Sequence, residues 1–270
     1  MVPLDTSQAP QASTDTYRTL GHKENALKMN LMLTDSISSK PLMMRISPSL
    51  QWKHRKAQES ANKGYGCFQE VAAMVGEWDT RGCFELGIYH TRGNGYLGFT
   101  ATTKGRDNVQ ALGLLNWANQ HTKTFLIATR KLLPAQWQLN MKNREKHFCR
   151  FIRKYFKRQS DLLSPWWTTT TFFNTTTGQA HRDASNHQPS FLFNFGMPCY
   201  LVLHDYGIKV WLDPLDVAIF NTNTLVHSTL PACEGQRWAF SAFFRQGIFD
   251  KEGVAHISKK VLDAVLGPKK

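Results

Sequence analysis

The chain has 270 residues, enough for one large domain or two small ones, and 41% of them are hydrophobic, which supports a packed core and excludes wholesale disorder. No apolar run approaches the ~20 residues that span a bilayer, so no membrane partner is expected. The formal net charge of +13 favours anionic partners, with nucleic acid first and acidic membrane surfaces second.

The first eight residues carry no basic cluster leading into an apolar core, so no secretory leader is expected. Residues 1–40 are rich in Ser, Thr, Gln, Asp and Pro, and predict a disordered or loosely attached tail. Residues 41–60 set Met43, Met44, Ile46, Leu50 and Trp52 beside Arg45, Lys53, Arg55 and Lys56, which fits docking but assigns no element. From 82 to 103 the apolar positions Phe84, Leu86, Ile88 and Tyr89, then Tyr96, Leu97, Phe99 and Ala101, flank Gly93-Asn94-Gly95 and predict a hairpin. Residues 107–119 have helical spacing, weakened by Gly113.

A second helix is predicted over 141–159, with Phe148, Ile152 and Tyr155 on one stripe. Lys142, Arg144, Lys146, Arg150, Arg153, Lys154, Lys157 and Arg158 cover much of the remainder, opposed by Glu145. A charge run is usually a solvated outer face. One so lopsided in sign also makes Arg150, Arg153, Lys154, Lys157 and Arg158 candidates for nucleic-acid phosphates.

After Pro165 the pattern changes to short apolar runs at 166–174, 190–195, 199–203, 209–212, 217–220, 224–226 and 237–244. Turn residues separate them, including Gly196-Met197-Pro198, His204-Asp205-Tyr206-Gly207 and Asp213-Pro214, which indicates a β-sandwich or barrel. A short helix is predicted over 257–266. The expected division is a tail (1–40), an N-terminal part with hairpin and basic helix (41–160), a β core (161–250) and a C-terminal tail or helix (251–270). Five cysteines (Cys67, Cys83, Cys149, Cys199, Cys233) are scattered, with no Cys-x-x-Cys, so free thiols in a reducing compartment are expected.

The chemistry concentrates in the β region. Ala180-His181-Arg182-Asp183 places an imidazole and a carboxylate two residues apart, on one side of the chain if extended. A bare His-x-Asp is common by chance, and each His alone is most simply a surface or hydrogen-bonded residue. The later order is more specific: Asp216 begins an apolar run, His227 follows seven residues after Phe220, and Pro231, Gly235 and Arg237 lead into a last run ending at Phe243-Phe244. Two imidazoles and one carboxylate can occupy one face of an octahedral iron(II) and leave the opposite face open.

The stretch 165–245 resembles the iron(II)/2-oxoglutarate-dependent dioxygenase superfamily. Within it, the segments Ala180-His181-Arg182-Asp183-Ala184-Ser185-Asn186 and Leu225-Val226-His227-Ser228-Thr229-Leu230-Pro231 are most similar to the TET/JBP group, including its fungal transposon-associated members. The resemblance implies an α+β fold with a double-stranded β-helix (jelly-roll, cupin-like) core and supporting helices. It implies His181, Asp183 and His227 as catalytic iron(II) ligands, and Arg237 as the partner of the far carboxylate of 2-oxoglutarate. It implies Asn186 as a reader of an extruded base, O2 as co-substrate, and oxidation of 5-methylcytosine or a related methylated base in DNA, hence a nuclear protein. The alternatives it leaves are a 2-oxoglutarate oxygenase acting on protein or a small molecule, and an inactive DNA-binding relative from a mobile element.

The chain departs from the group's pattern at Ser241, four residues after Arg237 rather than two. It departs again at Met197-Pro198, where a Gly-Gly turn is expected, and it lacks cysteine-rich zinc modules. Other motifs are weaker. Gly93-Asn94-Gly95-Tyr96-Leu97-Gly98 turns a strand rather than opening a helix, and no P-loop or Gly-x-Ser-x-Gly is present. Gln188 stands where a kinase catalytic loop needs its metal-binding Asn, and His204-Asp205 reads as a hairpin turn.

Overall fold

A computed structural model of the chain describes residues 2–4, 17–20, 30–47, 54–75, 82–90, 96–104, 108–174, 179–235, 237–249, 253–254 and 259–267. The first elements are strands β1 (Val2–Leu4), β2 (Arg18–Leu20), β3 (Leu31–Asp35) and β4 (Pro41–Ile46), then helix α1 (His54–Val75) and strands β5 (Cys83–His90) and β6 (Tyr96–Phe99). Helices follow: α2 (Ala101–Lys104), α3 (Asn108–Thr129), α4 (Ala135–His147), a π turn (Phe148–Ile152) and α5 (Arg153–Phe156). The β region holds β7 (Thr169–Asn174), β8 (Asn186–Gly196), β9 (Cys199–Leu203), β10 (Ile208–Leu212), β11 (Val217–Phe220), β12 (His227–Pro231) and β13 (Arg237–Arg245). Strand β14 (Gly253–Val254) and helix α6 (Lys259–Leu266) end the chain.

Two compact units result: Met1–Lys56 with Phe173–Ser241, and Ala57–Phe172 with Ala242–Lys270. In the first unit one sheet runs β1-β3-β4-β11-β8-β13, and a four-stranded sheet runs β12-β9-β10-β2. In β10, Ile208, Val210 and Leu212 are buried while Lys209 and Trp211 are partly exposed, the period-two pattern of a strand with one face on a core. Both sheets contribute to that core, Leu192, Ala218 and Phe220 from one and Leu201, Val210 and Leu212 from the other. The architecture is α+β with a double-stranded β-helix core.

Residues 2–4, 18–20 and 31–35 correct the expectation of a tail, because they are strands. Leu33 pairs with Met43 in the antiparallel β3–β4 ladder and is fully buried, so this polar-looking segment closes the core. The link between them is a turn in which the Asp35 carboxylate accepts the Ser38 N–H at 2.7 Å. Strand β4 in turn pairs with β11, so residues 41–46 belong to the β core rather than to an N-terminal part. Residues 1, 5–16 and 21–29 lie outside the described residues.

In the second unit β5 and β6 form the expected hairpin, Ile88 opposite Phe99, and its Gly93-Asn94-Gly95 turn lies outside the described residues. Helix α1 was not foreseen. Its buried positions Ala57, Ala61, Gly64, Phe68, Val71 and Val75 repeat every three or four residues, but half of that stripe is small. Gly64 is required: a Cβ there would lie 2.2 Å from the Trp117 ring, whose Nε1 donates to Ser60 O at 2.8 Å. Phe68 stacks on Phe84 at 5.7 Å, joining helix to sheet. Tyr155, expected beside Phe148 and Ile152, is exposed, and Phe156 is buried instead. The π turn shifts the register by about one residue.

Beneath β4 and β11, Arg45 and Asp216 form a buried ion pair, Nε to Oδ2 3.3 Å, and Arg45 also donates to Trp211 O at 3.0 Å. Burial pushes the Asp216 carboxyl up to about 6, with the Arg45 guanidinium pulling the other way. Removing one partner strands a charge, so Arg45→Met should cost about 3–5 kcal/mol in denaturant unfolding, and Arg45→Met with Asp216→Leu should recover most of it.

Candidate metal centre

The centre is built where two distant segments meet. The His181 N–H donates to His227 O at 3.0 Å, and the His227 N–H donates to His181 O at 2.9 Å. Among the described residues, this reciprocal antiparallel bridge stands alone outside the named strands. Asp183 does not share a strand with His181, as its spacing suggested. Its own N–H donates to Thr222 O, and its carbonyl accepts the Asn186 N–H, both at 2.9 Å, which turns the chain into β8. His227 also differs from expectation. Residues 221–225 form a turn, with Thr224 and Leu225 N–H groups captured by Asn221 O at 3.2 and 3.0 Å, so 224–226 is not a strand and His227 opens strand β12 opposite Leu203 rather than closing a strand.

The ligating atoms of His181, Asp183 and His227 all lie within 4.8 Å of one another. His181 Nε2 is 3.6 Å from Asp183 Oδ1, His227 Nε2 is 3.9 Å from Asp183 Oδ2, and the two ring centroids are 4.5 Å apart. Both tautomers are set by the backbone. Nδ1 of His181 faces Gln179 O at 2.8 Å and Nδ1 of His227 faces Leu225 O at 2.9 Å. A carbonyl only accepts, so Nδ1 carries the hydrogen in both rings and Nε2 presents its lone pair. Burial pushes the His227 imidazole below its ordinary range, which keeps it in the neutral, ligating form. The donor set therefore suits a divalent metal such as iron(II).

Asn186, expected to read a base, is 3% exposed and lies beneath the carboxylate. Its Nδ2 donates to Asp183 Oδ2 at 3.2 Å and to Thr222 Oγ1 at 3.3 Å, while its Oδ1 is buried with no hydrogen-bond partner among the described residues. Arg237 is also buried. Its Nε donates to Asn194 Oδ1 at 2.7 Å and its Nη2 has no partner among the described residues. Asn194 is held the right way round by its Nδ2, which reaches the carbonyls of Met197 and Asp213 at 3.2 Å each. Cys199 Sγ also donates to Asn194 Oδ1, and on β9 Cys199 lies at the far end from Leu203, the residue paired with His227. Four residues of strand span ~13 Å. Asn194 was missed in the sequence, though an Asn inside Phe191-Leu192-Phe193-Asn194-Phe195 was the signal, a polar side chain in a buried run.

Of the basic candidates in the second unit, Arg150, Arg153, Lys154 and Lys157 are exposed. Arg158 is partly buried in an ion pair with Asp263, so it is not free for phosphate. Among the described residues no helix is long and apolar enough to cross a membrane.

No family model and no curated protein sequence matches the chain. Among solved structures it is similar to NgTET1 in complex with 5mC DNA, with a TM-score of 0.57 and 16% identity, over 91% of this chain and 88% of that one. Slighter overlaps are with OsALKBH1, with a TM-score of 0.36 and 14% identity over 76% of this chain and 98% of that one, and with YcfD, a ribosomal oxygenase from Escherichia coli, with a TM-score of 0.32 and 11% identity over 66% and 42%. The likeness to NgTET1 is one of fold, and it agrees with the double-stranded β-helix described above.

The lowered His227 pKa fixes a sign. Protonation favours the unfolded chain, so this contribution to stability is complete above the ordinary pKa of 6.5 and is lost as pH falls through the depressed value. In metal-free buffer, thermal melts should show the wild type losing more stability than His227→Asn between about pH 7 and pH 5.

Proposed function

We propose that this chain is an iron(II)- and 2-oxoglutarate-dependent dioxygenase that oxidises a methylated base in DNA, 5-methylcytosine or a relative. One observation carries the reading. Three ligating groups converge in the same β core that buries a guanidinium whose Nη2 lacks a partner among the described residues. An orphaned buried donor on a cation is costly unless an anion completes it, and a carboxylate of 2-oxoglutarate has the matching geometry.

In this reading His181 Nε2, Asp183 and His227 Nε2 would hold the iron, a set of three protein ligands that would leave positions for co-substrate and O2. Iron(II) with 2-oxoglutarate and O2 supplies the oxidising power to hydroxylate a C–H bond. The protein binds, orients and shields. Arg237 grips the distal carboxylate, and Asn194 fixes the guanidinium through Nε so that its outer edge faces the ligand. Asn194 is an amide, so it orients Arg237 without cancelling its charge. Asn186 steadies the Asp183 carboxylate through Nδ2 and, being buried, gives an extruded base no direct access to its Oδ1.

The DNA part of the proposal is supported by the net charge of +13, by the exposed Arg150, Arg153, Lys154 and Lys157, and by the fold likeness to a protein solved with 5mC DNA. A DNA substrate carries with it action in the nucleus. The burial of Asn186 favours a competing reading, a 2-oxoglutarate oxygenase with a protein or small-molecule substrate.

With iron(II), 2-oxoglutarate, O2 and methylated duplex, mass spectrometry should find an oxidised base, and Asp183→Ala should form none. Succinate without any oxidised base would remove the DNA assignment, and DNA binding without succinate would leave an inactive relative. Arg237→Ala should raise the 2-oxoglutarate concentration for half-maximal binding roughly a hundredfold, the effect of breaking a buried charge-assisted pair. Replacing Arg150, Arg153, Lys154 and Lys157 by Ala should flatten the salt dependence of DNA binding by about 0.9 in log–log slope for each phosphate that the variant no longer neutralises.

A further inference from the structure

The turn His204-Asp205-Tyr206-Gly207 connects β9 to β10 as expected, with Gly207 left-handed. A hairpin turn has no need of the hydrogen bonds its acid makes. Asp205 Oδ2 accepts the Val226 N–H at 2.7 Å, and Val226 immediately precedes His227. Asp205 Oδ1 accepts Arg182 Nη2 at 3.1 Å, and Arg182 stands between His181 and Asp183. The backbone adds to this, since the His204 N–H donates to Val226 O at 2.9 Å. One carboxylate thus ties together the segments that carry all three candidate ligands.

An exposed Arg–carboxylate pair ordinarily contributes little. Here the second oxygen is committed to a backbone N–H of the other ligand-bearing segment, so each bond fixes the geometry of the other. The pair also neutralises a cation that sits between two metal ligands. We propose that Asp205 is a positioning residue for the metal centre, clamping the His181–Asp183 segment onto the approach to His227. The inference rests on the metal reading of those three residues.

Cobalt(II) titration of the full chain, followed by its absorption spectrum and by calorimetry, separates the two. Asp205→Ala should bind cobalt about 10- to 100-fold more weakly than the wild type. Asp205→Asn, which keeps an acceptor for the Val226 N–H and loses the ion pair, should fall between. Arg182→Ala added to Asp205→Ala should cost little more, because both remove one shared interaction. At saturating cobalt the Asp205→Ala spectrum should differ in shape. A variant that merely folded less well would give the wild-type spectrum at lower amplitude, and would overturn the proposal. So would Asp205→Ala that keeps wild-type affinity and spectrum while Asp183→Ala loses cobalt. A wild type that binds no cobalt, or Asp183→Ala that binds it as tightly, would remove the metal reading itself and this inference with it.

Discussion

Reciprocal backbone hydrogen bonds between His181 and His227 are the constraint on which the candidate centre depends. Because the two residues exchange both N–H···O bonds, their Cα atoms are held at the separation of a paired β position and their rings lie side by side. The side-chain hydrogens are then assigned by neighbours two residues upstream, Gln179 O and Leu225 O, which occupy corresponding positions in the two segments. Asp183 joins from the adjoining turn, with its carboxylate restrained by Asn186. What remains free on each residue is the atom that would face a cation. Two imidazole Nε2 atoms and a carboxylate thus gather within a few ångströms, an arrangement that gains from a positive charge at its middle.

Among the described residues of the same unit two arginines are buried, and their partners differ in a telling way. Arg45 faces the carboxylate of Asp216, so its charge is balanced within the fold and it acts as structure. Arg237 faces the amide of Asn194, which orients the guanidinium but leaves it cationic. The desolvation of an unbalanced ion costs several kcal/mol, and an anionic ligand, as proposed above, would offset it. The structure assigns the orientation of this guanidinium to the Asn194 amide. The hydroxyl expected two residues after Arg237 is absent from the sequence, and the structure shows the guanidinium braced instead from the adjacent strand region by Asn194.

Much of the β core was legible. The runs 199–203 and 217–220 match β9 and β11 because each is a short apolar stretch bounded by turn residues. The gathering of His181, Asp183 and His227 was legible because their order along the chain is distinctive, although their geometry was not. A spacing of two suggested a shared strand face, whereas Asp183 is placed by a backbone bond to Thr222 that no local pattern encodes. Strand β2 was hidden because an edge strand of three residues, two of them polar, looks like tail until a partner is known, and β3 because a five-residue strand is short and is surrounded by polar sequence. Helix α1 was hidden because Ala57, Ala61 and Gly64 on its buried stripe are small, Gly64 for close approach to Trp117, and mark the stripe weakly. Asn194 and Asp205 act through tertiary hydrogen bonds alone, so the first looked like an irregularity in a strand and the second like an ordinary turn.

A crystal structure with manganese(II) and 2-oxoglutarate, grown without oxygen, tests the central claim most directly. It should show the metal bound by His181 Nε2, a carboxylate oxygen of Asp183 and His227 Nε2, with the distal carboxylate of 2-oxoglutarate on Arg237 Nη2. A metal bound elsewhere, or a 2-oxoglutarate that leaves Arg237 Nη2 without a partner, would contradict the account.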